Sequence, residues 1–162
     1  MLNIVFFEPE IPYNTGAIAR TCALTDTRLH LIKPLSFSID DKAVRRAGLD
    51  YWPLVDLHVY ENYEDFKSKN PGVTLYCATT KGQTRYSDVK FKDEDFIMFG
   101  RETSGLPQEI MEENHDTLII IPMIPELKRS LNLANSANII LYEALRQLDF
   151  IIALIFHYVY VK

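Results

Sequence analysis

The 162-residue chain has only two cysteines, Cys22 and Cys77, far apart and in no CxxC pair. Neither a disulfide framework nor a zinc ribbon can be built from them. It has no excess of positive charge. Seventeen Lys+Arg face 22 Asp+Glu, a formal net charge of −5. That balance argues against a histone-like or basic-tailed nucleic-acid binder, while leaving room for a local basic patch. A long apolar run is missing too. The longest stretch, Phe150–Val161, is interrupted by His157 and falls short of the ~20 residues a membrane span needs. Met1-Leu2-Asn3-Ile4 shows no basic region and no signal-type apolar core, so a cytoplasmic protein without a membrane partner is expected. The four histidines are scattered, with no HExxH, and no metal is expected. GxSxG, GxGxxG and GxxxxGK[ST] are all absent, which removes the usual hydrolase, dinucleotide and P-loop readings.

What is present is core material. The chain is 48% hydrophobic and 12% aromatic, enough for one globular domain and too rich for disorder. Short apolar runs at Leu2–Phe7, Arg28–Ile32, Thr74–Ala78, Phe96–Phe99 and Leu118–Ile121, and the alternating segment Val55–Tyr60, read as strands. Between them, Gly16–Thr25, Asp40–Ala47 (closed by Gly48), Tyr63–Lys69, Pro107–Asn114 and Leu133–Leu148 read as helices. The alternation predicts an α/β fold with a mainly parallel sheet and helices on both faces.

Ligands of such sheets sit beyond the carboxyl ends of the strands, which directs attention to the loops. In Glu8–Gly16 two prolines stiffen the chain, and Asn14 or Thr15 can cap the next helix. Arg20, further into that helix, could grip a phosphate. A well-capped loop with a surface arginine reads equally well. In Phe99–Pro107, Gly100 and Gly105 allow close backbone approach. Glu102 between them could orient polar groups or accept N–H bonds within its own loop. In Ile121–Leu133, Ser130 or Asn132 could cap the long helix. Asn135 and Asn138 then fall inside it, where asparagine is unfavourable. Trp52 reads as packing, and the histidines as surface or hydrogen-bonded residues.

Taken together and in order, these segments carry a resemblance. They run LNIVFFEPEIPYNTGAIARTCA, DDKAVRRAGLDYW, TTKG, FGRETSGLP, IPM and SLNLANSANIILYEALRQL. The chain resembles the SPOUT methyltransferases, and within them the small TrmL (YibK)-type tRNA 2′-O-methyltransferases that act on the wobble nucleotide, C34 or U34. The match spans essentially Met1 to Leu148. It implies a sheet whose C-terminal part forms a deep trefoil knot, one of the rare exceptions to unknotted chains. It further implies S-adenosylmethionine bound in that knot, S-adenosylhomocysteine as product, a tRNA partner, and a homodimer with its sites at the subunit interface.

The resemblance assigns cofactor-binding positions to Ala78, Thr79, Gly100, Glu102, Gly105, Ile121, Met123, Ser130 and Leu131. Ile121, Pro122, Ile124 and Leu131 would form an apolar slot for adenine. Arg20, Asn14, Glu102, Ser130 and Asn132 are the expected catalytic group, with Asn14 and Arg20 reaching a donor held by the partner subunit. Arg20, Lys42, Arg45, Arg46 and Arg129 are the expected RNA contacts, with Arg28, Lys81, Arg85 and Lys128 as further cations of the patch and Tyr13 as a base-stacking candidate. Arg101 departs from the family's usual small residue or proline and is expected to point outward. The tail Asp149–Lys162 departs by being apolar. Methylation of another RNA such as ribosomal RNA, and a non-catalytic dimeric RNA-binding protein, are the competing readings. The length leaves no room for a separate RNA-binding domain and favours the small tRNA type.

Overall fold

The computed structural model describes residues 1–39, 51–124, 126 and 129–150. The expected helix over Asp40–Ala47 and the tail beyond residue 150 lie outside them. Among the described residues, seven strands form one sheet: β1 (Asn3–Phe7), β2 (Arg28–Ile32), β3 (Leu57–Tyr60), β4 (Leu75–Ala78), β5 (Thr84–Arg85), β6 (Phe96–Phe99) and β7 (Leu118–Ile120). Their spatial order is β3-β2-β1-β6-β4-β7-β5. Every pairing is parallel; Val5, for example, lies beside both His30 and Met98.

The apolar runs are continuous because both faces of the sheet are covered. Along β1, Ile4 and Phe6 join one core layer while Val5 and Phe7 join the other. Along β6, Ile97 and Phe99 alternate with Phe96 and Met98 in the same way. Helix α1 (Pro12–Leu24) and helix α4 (Leu133–Gln147) cover the first face through Ile18, Ala19, Cys22, Ala137, Ile140, Leu141 and Ala144. Helices α2 (Tyr63–Lys69) and α3 (Gln108–Glu113) cover the second through Phe66, Ile110 and Met111. Both are shorter than the ~12–15 residues an isolated helix needs in water, so these three anchors hold them. The partly buried Trp52 packs against the first layer, as expected.

The buried His30 shows how the second layer takes a polar ring. Its Nδ1 lies 2.8 Å from the Tyr60 hydroxyl and its Nε2 3.0 Å from Asn3 Oδ1. Asn3 Oδ1 can only accept, so Nε2 carries the proton. Asn70 donates to the Tyr60 oxygen at 3.1 Å, which leaves that hydroxyl to donate to Nδ1. The ring is thereby satisfied as the neutral tautomer. Burial, with His58 and Arg28 adding to it, pushes its pKa down to about 3.

The chain leaves β1 for β2 and β3 on one side, then crosses to β4, β6 and β7 on the other. The reversal beside β1 is a topological switch point. The loops after β1, β6, β4 and β7, four neighbours in the sheet, meet at one end of it.

Candidate active site

A cavity of about 500 Å³ opens where those four loops meet. Ile11 and Asn14 come from beyond β1, Ala78–Lys81 from β4, Gly100–Leu106 from β6, and Ile121 and Met123 from β7. Ser130, Leu131, Asn132, Leu133 and Ser136 close it from the start of α4, and Met111 reaches in from α3. All nine candidate cofactor-binding residues line this one space, as do Asn14, Glu102, Ser130 and Asn132 of the candidate catalytic group.

The turn after β6 is shaped by its glycines. Gly105 has φ +70, a conformation that disfavours any residue with a side chain. A Cβ on Gly100 would lie 2.2 Å from the Gly105 carbonyl carbon and from Leu106 N. The backbone therefore folds onto itself, closed by Arg101 N to Gly105 O at 3.2 Å and Gly105 N to Arg101 O at 2.9 Å.

Glu102 at the tip of this turn points to the β1–α1 loop rather than into its own. Oε2 accepts from Glu10 N at 2.8 Å; Oε1 accepts from Ile11 N at 3.1 Å and Asn14 Nδ2 at 2.9 Å. Asn14 Oδ1 in turn accepts from Asn132 Nδ2 at 2.8 Å. A chain of polar contacts thus ties the starts of α1 and α4 to the turn. This corrects the capping expectation at α1. The helix begins at Pro12 with Ile11 as its cap residue, so Asn14 and Thr15 lie within its first turn and are buried. Asn14 gives its side chain to residues 88 and 118 positions away, and Thr15 Oγ1 finds no partner among the described residues. At α4 the expectation holds: Asn132 caps the helix, accepting from Asn135 N at 3.2 Å.

Asn14 lines the cavity of its own chain. Arg20, expected to reach a donor held by a partner subunit, does not line the cavity of its own chain. It lies six residues beyond Asn14, about a third of a turn away around α1, exposed, with its guanidinium 4.7 Å from the Tyr51 ring centroid. Other expectations need adjustment. Arg101 folds back instead of pointing outward: Nε donates to Glu8 Oε2 at 2.7 Å and the guanidinium lies over the Phe7 ring. Ile124 is 65% exposed, and neither it nor Pro122 joins the cavity wall; its apolar part includes Ile121, Leu131, Leu106, Met111 and Leu133. Met111 and Leu133 were not expected there because they fall within helices, and Leu106 because it follows the glycine turn that drew attention to the loop.

The cationic patch divides. Arg28 is at the opposite end of the sheet, bonded to Glu94 at 2.6 Å and 3.3 Å from Asp56. Its position at the first residue of β2 removes it from the loops at the carboxyl ends. Lys81 lines the cavity, while Arg85 is exposed on the edge strand β5 and Arg129 exposed beside Ser130. Lys42, Arg45, Arg46 and Lys128 fall outside the described residues. Tyr13 is 81% exposed. Among the described residues, no cluster of three or more His, Cys, Asp or Glu is placed to hold a metal, and no helix is long and apolar enough to cross a membrane.

Comparison with known proteins adds independent findings. A tRNA (cytidine(34)-2′-O)-methyltransferase from Methylovorus glucosotrophus (strain SIP3-4) is 49% identical over 151 residues, covering 93% of this chain and 97% of its own. A solved structure that concerns the 2-OH methylation of C/U34 on tRNA superposes with a TM-score of 0.84 at 38% identity, over 92% of this chain and 97% of that one. The SpoU methyltransferase AviRb from Streptomyces viridochromogenes, solved in complex with the cofactor AdoMet, gives a TM-score of 0.74 at 25% identity over 90% of this chain and 59% of its own. The SpoU rRNA methylase family model aligns with residues 1–142, a span that takes in every strand and every loop of the cavity. On that match and these relatives, the chain belongs to the SpoU rRNA methylase family.

Proposed function

We propose that the protein transfers a methyl group from S-adenosylmethionine to the ribose 2′-hydroxyl of the tRNA wobble nucleotide, C34 or U34. The observation that carries this reading is the cavity at the switch point, walled by all three motif loops, in a chain 49% identical to an enzyme of that activity. The cavity fits the cofactor in size and lining. About 500 Å³ is within the range of small-molecule sites. Ile121, Leu131, Leu106 and Met111 offer apolar surface for a purine, and Thr79, Thr80, Ser104 and Ser130 offer polar groups.

S-adenosylmethionine, when bound, would supply an electrophilic methyl carbon on a sulfonium sulfur: the ribose O2′ would take the methyl as the S–CH3 bond broke, with the hydroxyl proton leaving to solvent water and S-adenosylhomocysteine left as the product. The chain's contribution is alignment, which can supply much of the rate of an in-line displacement. The Glu102–Asn14–Asn132 contacts fix the cavity wall at which the ribose must arrive. Arginine is a poor literal base, with a pKa above ~12. Arg20 instead holds the adjacent phosphate and stabilises negative charge growing on O2′. Because Arg20 lies outside its own chain's cavity, the reading includes a homodimer in which Arg20 of one copy serves the cavity of the other. It also includes the deep trefoil knot that the family resemblance implies. A splayed, unpaired anticodon nucleotide suits a site that reads edges and stacking.

The test is mass spectrometry of anticodon fragments after incubation of unmodified tRNA with isotope-labelled S-adenosylmethionine. Label on the ribose of nucleotide 34 is expected; label on ribosomal RNA alone, or on none, overturns the reading. Mixing Arg20→Ala with Glu102→Ala chains tests the shared site. Each variant alone is expected to lose activity by about a hundredfold or more, and the mixture to recover activity through heterodimers that hold one intact site.

A further inference from the structure

The Glu102 contacts have a counterpart running the other way. While Glu102 accepts from the Glu10 and Ile11 backbone, the Glu10 carboxylate accepts from Thr103 N at 2.9 Å and from Thr103 Oγ1 at 2.9 Å. Each loop therefore offers a carboxylate to the other's backbone, and residues 10–11 and 102–103 hold each other reciprocally. Beneath them, Glu8 pairs with Arg101, at a backbone position of φ +48. Arg101, Glu102, Thr103 and Ser104 all line the cavity, whereas Glu8 and Glu10 do not. The turn has two internal backbone bonds, both between Arg101 and Gly105, and a longer 3.4 Å contact from Arg101 Nη1 to Ser104 Oγ; none of these holds residues 102 and 103, so its tip depends on ties from outside. Of these, Glu10 holds the residue directly after Glu102.

We infer that Glu10 is a positioning residue of the cofactor site: by binding Thr103 it sets the 100–105 turn, and through it Glu102 and Asn14, at the cavity wall. The inference rests on the proposed function for the identity of the ligand. Carboxylate bonds to N–H groups are among the stronger hydrogen bonds, and losing them frees the part of the turn that faces the cavity. Glu10→Gln preserves both contacts, since its amide oxygen can accept from Thr103 N and its amide nitrogen can donate to Thr103 Oγ1.

The experiment is calorimetric titration of purified full-length chain with S-adenosylmethionine, beside a melting curve for each variant. Glu10→Ala is expected to weaken binding about tenfold, and Glu10→Gln to stay within about twofold of wild type. Thr103→Val, which removes one of the two contacts, is expected in between; it decides the matter if Glu10→Ala does not fold. A merely structural role would lower Tm and leave the affinity of the folded protein unchanged. Wild-type affinity in Glu10→Ala, or a loss in Glu10→Gln equal to that in Glu10→Ala, overturns the inference alone. Failure of the wild-type chain to bind S-adenosylmethionine overturns the functional reading and the inference with it.

Discussion

At the amino ends of the strands, Asp56, Asp93 and Glu94 meet cations: the Met1 amine contacts Asp93 and Glu94, and Arg28 contacts Glu94 and Asp56. At the carboxyl ends, Glu10 and Glu102 meet backbone N–H groups of a neighbouring loop. The first arrangement pairs exposed side chains with one another and leaves the backbone as the strands set it. The second spends charge on fixing the path of the loops, and a cavity remains between the fixed loops. Side chains of the same type thus brace one another at one end of the sheet and shape a site at the other. The difference lies in what the carboxylates bind rather than in how many there are.

That contrast can be broken most strongly at Gly100. Gly100→Ala places a Cβ 2.2 Å from two backbone atoms, so the turn must open. Loss of both S-adenosylmethionine binding and methyl transfer is expected; tight binding by calorimetry would show that the turn is not part of the wall. Next comes Glu102. Its oxygens face three donors, so Glu102→Gln sets an amide NH2 against at least one N–H. A fall in single-turnover transfer of about a hundredfold is expected, close to that of Glu102→Ala. A Gln variant with wild-type rate would break the comparison with Glu10, where the same change is tolerated.

Between the two ends, His30 gives a smaller effect that is read through pH. Its pKa is about 3 in the folded chain against ~6.5 unfolded. Over that window the unfolded chain binds more protons, so stability falls as pH drops from ~6.5 toward 3 and is fully present above ~6.5. His30→Gln is expected to flatten the wild-type decline in Tm between pH 7 and 5. An unchanged slope would show that other groups set it. The smallest effect is expected at the amino end: Arg28→Ala should cost at most about 1 kcal/mol by urea denaturation and leave tRNA affinity in a filter-binding assay unchanged. Weaker tRNA binding would return Arg28 to the RNA surface.

Much of the fold was legible because both faces of the sheet are buried, and buried parallel strands print as short continuous apolar runs. Five of the strands came from that signal, and β3 came from the alternation of Val55–Tyr60. The one not foreseen, β5, is two exposed residues, Thr84 and Arg85, too short for any periodicity. The long helix was equally clear from its apolar face and its Asn132 cap. The start of α1 was not, because a capping residue is inferred from local sequence and Asn14 is satisfied by Glu102 and Asn132 instead. The candidate site was legible as a set of loops but not as a set of contacts. Nothing local to Glu10 or Thr103 announces that they meet, since 93 positions separate them. Arg28 was misplaced for the complementary reason. Composition counts cations, and only the fold shows which of them are already paired.

Asn132 serves two structures with one amide group: its oxygen accepts from Asn135 N while its nitrogen donates to Asn14. The two jobs use different atoms and so can be separated. Asn132→Asp would keep the helix cap and turn the other atom into an acceptor facing the Asn14 oxygen. The first turn of α4 would stay folded while its link to the opposite helix became repulsive. The cap of the long helix and its polar link to α1 therefore meet in one side chain, and a change that breaks the link need not unwind the helix.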